Sequence, residues 1–162
     1  MTLLRLLLGA ICGICATGPM SAVMVWLHRR LPSSERYPLP PREITGQAVE
    51  QVTDPRNVAP EVRSALTWLA HFGYGGATGI IYSTLDRKLP GTSIVRGPIY
   101  GLIVWTISYL GLLPGLHVLK PATEHPARRN ALMIGAHLVW GLFLAVIFRA
   151  IFEDRGRTSA AF

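Results

Sequence analysis

The chain has 162 residues, 50% of them hydrophobic and only 15% charged, with a formal net charge of +7 and a mean hydropathy of +0.35. A soluble domain usually carries about a quarter charged residues, so this composition argues against an ordinary water-soluble enzyme and for a membrane protein of one domain. The basic residues are scattered over several connectors, which suits anionic lipid headgroups and argues against a nucleic-acid partner.

The first apolar run covers about residues 3–27 and ends at His28-Arg29-Arg30. About 25 residues at 1.5 Å each cross a roughly 30 Å hydrocarbon core with some tilt. The run is too long for a cleavable leader and is expected to stay as a helix. Gly9 and Gly13 form a G-x-x-x-G pair in it, the spacing that lets two helices approach closely. Cys12 and Cys15 have redox-motif spacing but lie mid-span in an apolar helix, so they are expected to be packing residues.

Residues 31–59 form the one long polar connector. Tyr37 to Arg42 (Y-P-L-P-P-R) is expected to be extended in polyproline II geometry. Glu43 to Val52 then puts Ile44, Ala48 and Val52 on one face of a short surface helix. The second span is expected over 62–85, with Pro60 suited to its first turn. The third covers about 93–113, carries Gly97 and Gly101 as another G-x-x-x-G pair, and is broken by Pro114-Gly115. The fourth covers about 130–152, with Gly156 as its stop and Arg149 with Glu153 as an i, i+4 pair near its end. Four spans place both termini on one side. Nine of the 16 Lys and Arg lie opposite the termini and seven beside them, which sets no orientation.

Two of these spans carry a histidine at the head of a small-residue stripe: His71, Gly75 and Gly79 in the second, His137, Gly141 and Ala145 in the fourth. Each histidine follows an arginine (Arg63, Arg129) by eight positions on helices that run parallel, so the rings are expected at matching depth, about 12 Å in from one face. The two halves then read as a weak internal repeat of helix pairs. Ionisable groups at membrane depth usually face the protein interior. Three readings follow. The preferred one is helix packing, each neutral His hydrogen-bonding across helices. The others are a bis-histidine haem b held by His71 and His137, and a proton or ion relay that includes Tyr74. No metal site is expected, since no carboxylate or thiolate is placed at that depth. No G-x-S-x-G, P-loop, H-E-x-x-H or dinucleotide fingerprint is present, so no catalytic residues are assigned.

The small-residue first helix, P-L-P-P-R at Pro38 to Arg42, His71, Pro114, Glu124 and G-x-H-x-x-W at Gly135 to Trp140 together resemble the YagU-like group of uncharacterised bacterial inner-membrane proteins. The likeness runs through most of the chain in order, with a shorter first connector here. It implies four helices in a bacterial inner membrane and termini on the cytoplasmic side, and it implies no activity. The expectation is therefore an all-α, integral-membrane four-helix bundle over 1–162. Its expected role is non-enzymatic: an accessory, assembly or scaffold subunit whose glycine faces pack on one another, on partner subunits or on a second copy within the lipid bilayer. The alternative is a cofactor-binding or transport function centred on the two histidines.

Overall fold

The computed structural model describes residues 3–159, with side chains described as far as residue 152. Among the described residues the chain is helical, with no strand. The helices are α1 (Leu3–His28), α2 (Pro40–Glu50), α3 (Pro60–Leu85), α4 (Ser93–Ile107) and α5 (Ala127–Ser159). Helix α4 runs on through a π-helical turn, Ser108–Leu112, into a last α-helical turn, Leu113–Gly115. Among the described residues, three helices are long and apolar enough to cross a membrane: Leu3–His28, Ser93–Gly115 and Ala127–Phe152. Helix α3 has the same length as α1, 26 residues. Its four glycines and its hydroxyl side chains dilute the apolar run.

Helix α1 packs against both α3 and α5, and α4 packs against α5. Early residues of one helix meet late residues of the next, so neighbours are antiparallel. Gly9 approaches Gly79 and Ser83, and Gly13 approaches Gly75; in the other pair Gly97 approaches Gly141 and Ala145, and Gly101 approaches the backbone of His137. A Cβ built on Gly13 would overlap the Gly75 carbonyl, and one on Gly141 the Gly97 carbonyl. Backbone thus rests on backbone, where packing and interhelical contacts replace the hydrophobic effect that lipid does not supply. Every residue expected to make small-residue contacts (Gly9, Gly13, Gly75, Gly79, Gly97, Gly101, Gly141 and Ala145) is used in these two crossings. Between α1 and α5, the Trp140 indole N–H donates to the Gly13 carbonyl at 3.2 Å. Tyr82, fully buried, sets its ring against Tyr100 at 5.2 Å and Phe148 at 5.6 Å.

The connector departs from expectation. Pro40 and Pro41 do not extend a polyproline segment; they open α2, with Leu39 extended just ahead of it (φ −59°, ψ 139°). Proline suits that first turn because its missing N–H has no helical partner there anyway. Val52 lies past the end of α2 and is 84% exposed, and the buried residues of the helix are Pro40, Thr45 and Val49, so Ile44, Ala48 and Val52 do not form its buried face. The helix is held against the end of the molecule by Glu43, whose carboxylate accepts from Arg129 at 2.5 Å, and by Gln51, whose amide donates to the Leu116 and His117 carbonyls at 3.2 Å. Helix α5 passes through Gly156 rather than stopping there, since one glycine costs a helix only about 1 kcal/mol. The Glu153 side chain, and with it the Arg149 pair, lies outside the described residues.

Candidate functional site

Helices α3 and α4 stand apart over the half of the molecule nearest α2. The space between them is a cavity of about 320 Å³. Its walls are apolar for the most part, with Ile44 and Ala48 of α2 closing one end and Met20, Leu112 and Met133 on the sides. Its polar residues are His71, Tyr74, Ser108, Tyr109 and His137, with threonines between them. Both histidines singled out by sequence therefore line one cavity.

The hydrogen bonds around them fix one tautomer. The Ser21 hydroxyl lies 2.8 Å from the Thr17 carbonyl and 3.2 Å from His71 Nε2 on the neighbouring helix. Its one proton can go to either, so both neutral tautomers of His71 fit, and Nδ1 is the ring nitrogen away from Ser21. His137 is fixed. Its Nδ1 lies 2.7 Å from the Met133 carbonyl, and a carbonyl only accepts, so Nδ1 holds the proton and Nε2 is bare. The ring is 5% exposed and stands edge-on to Tyr109 at 5.9 Å. Among the described residues neither His71 Nδ1 nor His137 Nε2 has a hydrogen-bond partner, and nor does the Tyr109 hydroxyl.

The polar chains around the cavity are short. Thr17 donates to the Gly13 carbonyl at 2.9 Å, and Tyr74 bonds Ser108 at 2.7 Å, which in turn donates to the Val104 carbonyl at 2.6 Å. Each chain ends on a backbone oxygen. For a bis-histidine haem, His137 presents Nε2 with Nδ1 anchored to a carbonyl, as metal-ligating histidines are. His71 presents Nδ1, the nitrogen nearest its own backbone, which would crowd a flat macrocycle. No group of three or more His, Cys, Asp or Glu among the described residues is arranged to hold a metal ion.

The internal repeat is present but shifted. Gly9 and Gly13 meet Gly79 and Gly75, whereas Gly97 and Gly101 meet Gly141 and His137. Gly75 therefore corresponds to His137, and His71 to Met133. The two histidines are offset by one turn relative to their crossings, about 6 Å along the helix, instead of occupying equivalent places. Sequence reading singled out His71 and His137 and noted Tyr74 and, as part of a motif, Trp140, but passed over Ser21, Ser108 and Tyr109. The π-helical turn over Ser108–Leu112 is what places Ser108 and Tyr109, both buried, on the cavity wall; such turns recur at functional sites. Nothing in S-Y-L-G-L announces it, although Ser21 four positions after Thr17 was readable as a polar stripe on one face of α1.

A family model, the DUF6789 family of unknown function, matches residues 4–159. The chain belongs to that family, and the likeness to the YagU-like group stays a matter of a few motifs. No curated protein and no solved structure matches the chain.

Proposed function

We propose that this member of the DUF6789 family is a multi-pass membrane protein that binds a lipophilic small molecule bearing a hydroxyl group, in the cavity between α3 and α4. One observation carries the reading: two buried or half-buried imidazoles line a mostly apolar cavity, each with one ring nitrogen left unpaired. Neither nitrogen is among the buried side-chain atoms that lack a partner, so each is open to the cavity, where the hydroxyl of a prenol, sterol-like or hydroquinone-type molecule would pair with it while the apolar body fills the rest. The volume is in the range of small-molecule sites. The role proposed is binding, with no catalytic step.

In the same reading α3 is a fourth span. From Ser64 to Leu85 it has no Asp, Glu, Lys or Arg, and Trp68, Leu69 and Ile81 are at least half exposed on its outer side, as lipid contact would have them. A bacterial inner membrane with cytoplasmic termini follows from the YagU-like resemblance. The glycine faces, one of the reasons for expecting an accessory-subunit role, are occupied within the chain.

The test is organic extraction of the full chain, purified in mild detergent, followed by mass spectrometry. A hydroxyl-bearing lipophile should accompany the wild type, fall about tenfold in His137→Leu, where a buried hydrogen bond is lost, and persist in Cys15→Ser. Equal recovery of every extract from wild type and His137→Leu would overturn the reading. A Soret absorption band abolished by the same substitution would replace it with haem.

A further inference from the structure

At the other end of the helices, where α1 begins and α5 ends, a second cavity of about 280 Å³ lies among Arg5, Asp86, Arg87, Arg96, Arg149 and Phe152. Among the described residues four guanidinium groups and one carboxylate line it, brought from α1, the α3–α4 turn, α4 and α5. The single carboxylate is stretched between partners. Asp86 stands 3.8 Å from Arg5 and 3.9 Å from Arg96, beyond the roughly 2.7–2.9 Å of a charge-assisted hydrogen bond. It also accepts from the Tyr82 hydroxyl at 3.0 Å. Arg5 spends its Nε on the Ser83 carbonyl at 2.7 Å, which aligns its guanidinium. Arg96 Nε is buried with no hydrogen-bond partner. The rest of the Arg96 side chain is partly open, at 28% exposure overall. Helix α4 starts at the same wall, and Thr92 at its N-cap makes no side-chain bond to the first amides, so the positive end of the helix adds to the field.

We propose that this cavity binds a phosphate group, esterified or free, held by Arg96, Arg87 and Arg5 in the forked geometry guanidinium offers to phosphate. Among the described side chains Arg5, Arg87 and Arg96 outnumber the one carboxylate, Asp86, and their guanidinium groups supply charge and donors. The phosphate has two sources with the same chemistry: an anionic lipid headgroup, whose chains would leave past Phe148 and Phe152, or a free phosphate ion.

The experiment uses the full chain in a neutral detergent, titrated separately with inorganic phosphate and with phosphatidylglycerol in mixed micelles, phosphatidylcholine serving as control, and reads the thermal unfolding midpoint. A rise with phosphatidylglycerol alone identifies a lipid headgroup, and a rise with inorganic phosphate a free anion; both support the site. Arg96→Gln and Arg87→Gln should each weaken apparent affinity about tenfold, the effect of one charge-assisted hydrogen bond, while Arg29→Gln at the opposite end leaves it unchanged. Arg87 is exposed on the turn, so its variant carries the test even where Arg96→Gln fails to fold. No shift with either phosphate ligand, or equal weakening by Arg29→Gln, overturns the proposal.

Discussion

His117 holds a φ of 56°, the left-handed region. It sits just past the last turn of α4, where its N–H bonds the Pro114 carbonyl at 3.0 Å and the Val118 N–H bonds the Leu113 carbonyl at 3.2 Å. That is the paired bonding of a helix C-terminus normally closed by glycine. Pro114-Gly115 does read as a break in the sequence, but the glycine falls two residues short of the position that needs it. The left-handed conformation costs a side chain about 1–2 kcal/mol, partly offset by the extra freedom glycine loses on folding. His117→Gly should therefore stabilise the fold by about 0.5–1 kcal/mol in detergent thermal unfolding, and His117→Ala, which keeps the Cβ, should give no gain. The two span histidines show a similar limit at this scale. Their place on small-residue stripes was legible from spacing, but which nitrogen each leaves free depends on Ser21 and on the Met133 carbonyl, and only the fold brings Ser21 to His71.

At the scale of helices, i, i+4 glycine spacing is enough to locate both crossings, because close approach of two helices needs a smooth stripe on each. The register between stripes was not legible: a four-residue repeat looks alike whichever turn is matched, so spacing pairs His137 with His71 where the packing pairs it with Gly75. The extent of α2 was hidden in the same way, since prolines fit an extended segment and a first helical turn equally well. The crossings themselves are testable by adding one carbon. A Cβ at Gly13 falls into the Gly75 backbone and one at Gly141 into the Gly97 backbone, whereas at Gly18 it meets nothing within 4 Å. Gly13→Ala and Gly141→Ala should each destabilise by about 1–3 kcal/mol, the usual cost of overpacking. Gly18→Ala on the same helix as Gly13 should be neutral or gain up to about 1 kcal/mol from helix propensity. Equal midpoints for Gly13→Ala and Gly18→Ala would mean that the α1–α3 contact is looser than described.

For the whole molecule, the number of crossings turns on α3. Hydropathy alone picks out α1, α4 with its extension, and α5, and three crossings would leave the chain ends on opposite faces. The fourth crossing proposed above would put them on one face. Arg5 near the start of α1 lies over the rings of Phe148 and Phe152 on α5, at 5.4 and 5.2 Å, so the beginning and the end of the helical run share one end of the molecule. Helix α3 reads as weakly apolar because the glycines and hydroxyls that lower its average are largely the residues it turns inward, towards α1 and the cavity; an average over a window cannot separate an inner face from an outer one. Thr53 and Thr92, both exposed, flank α3 and give a direct measure. In a background with Cys12 and Cys15 replaced by alanine, Thr53→Cys and Thr92→Cys should react with a membrane-impermeant maleimide from opposite sides, one in intact cells and the other only after permeabilisation. If both label under the same condition, α3 does not cross. The cavity between α3 and α4 would then border water rather than lipid, and a hydroxyl-bearing lipophile would lose its route in.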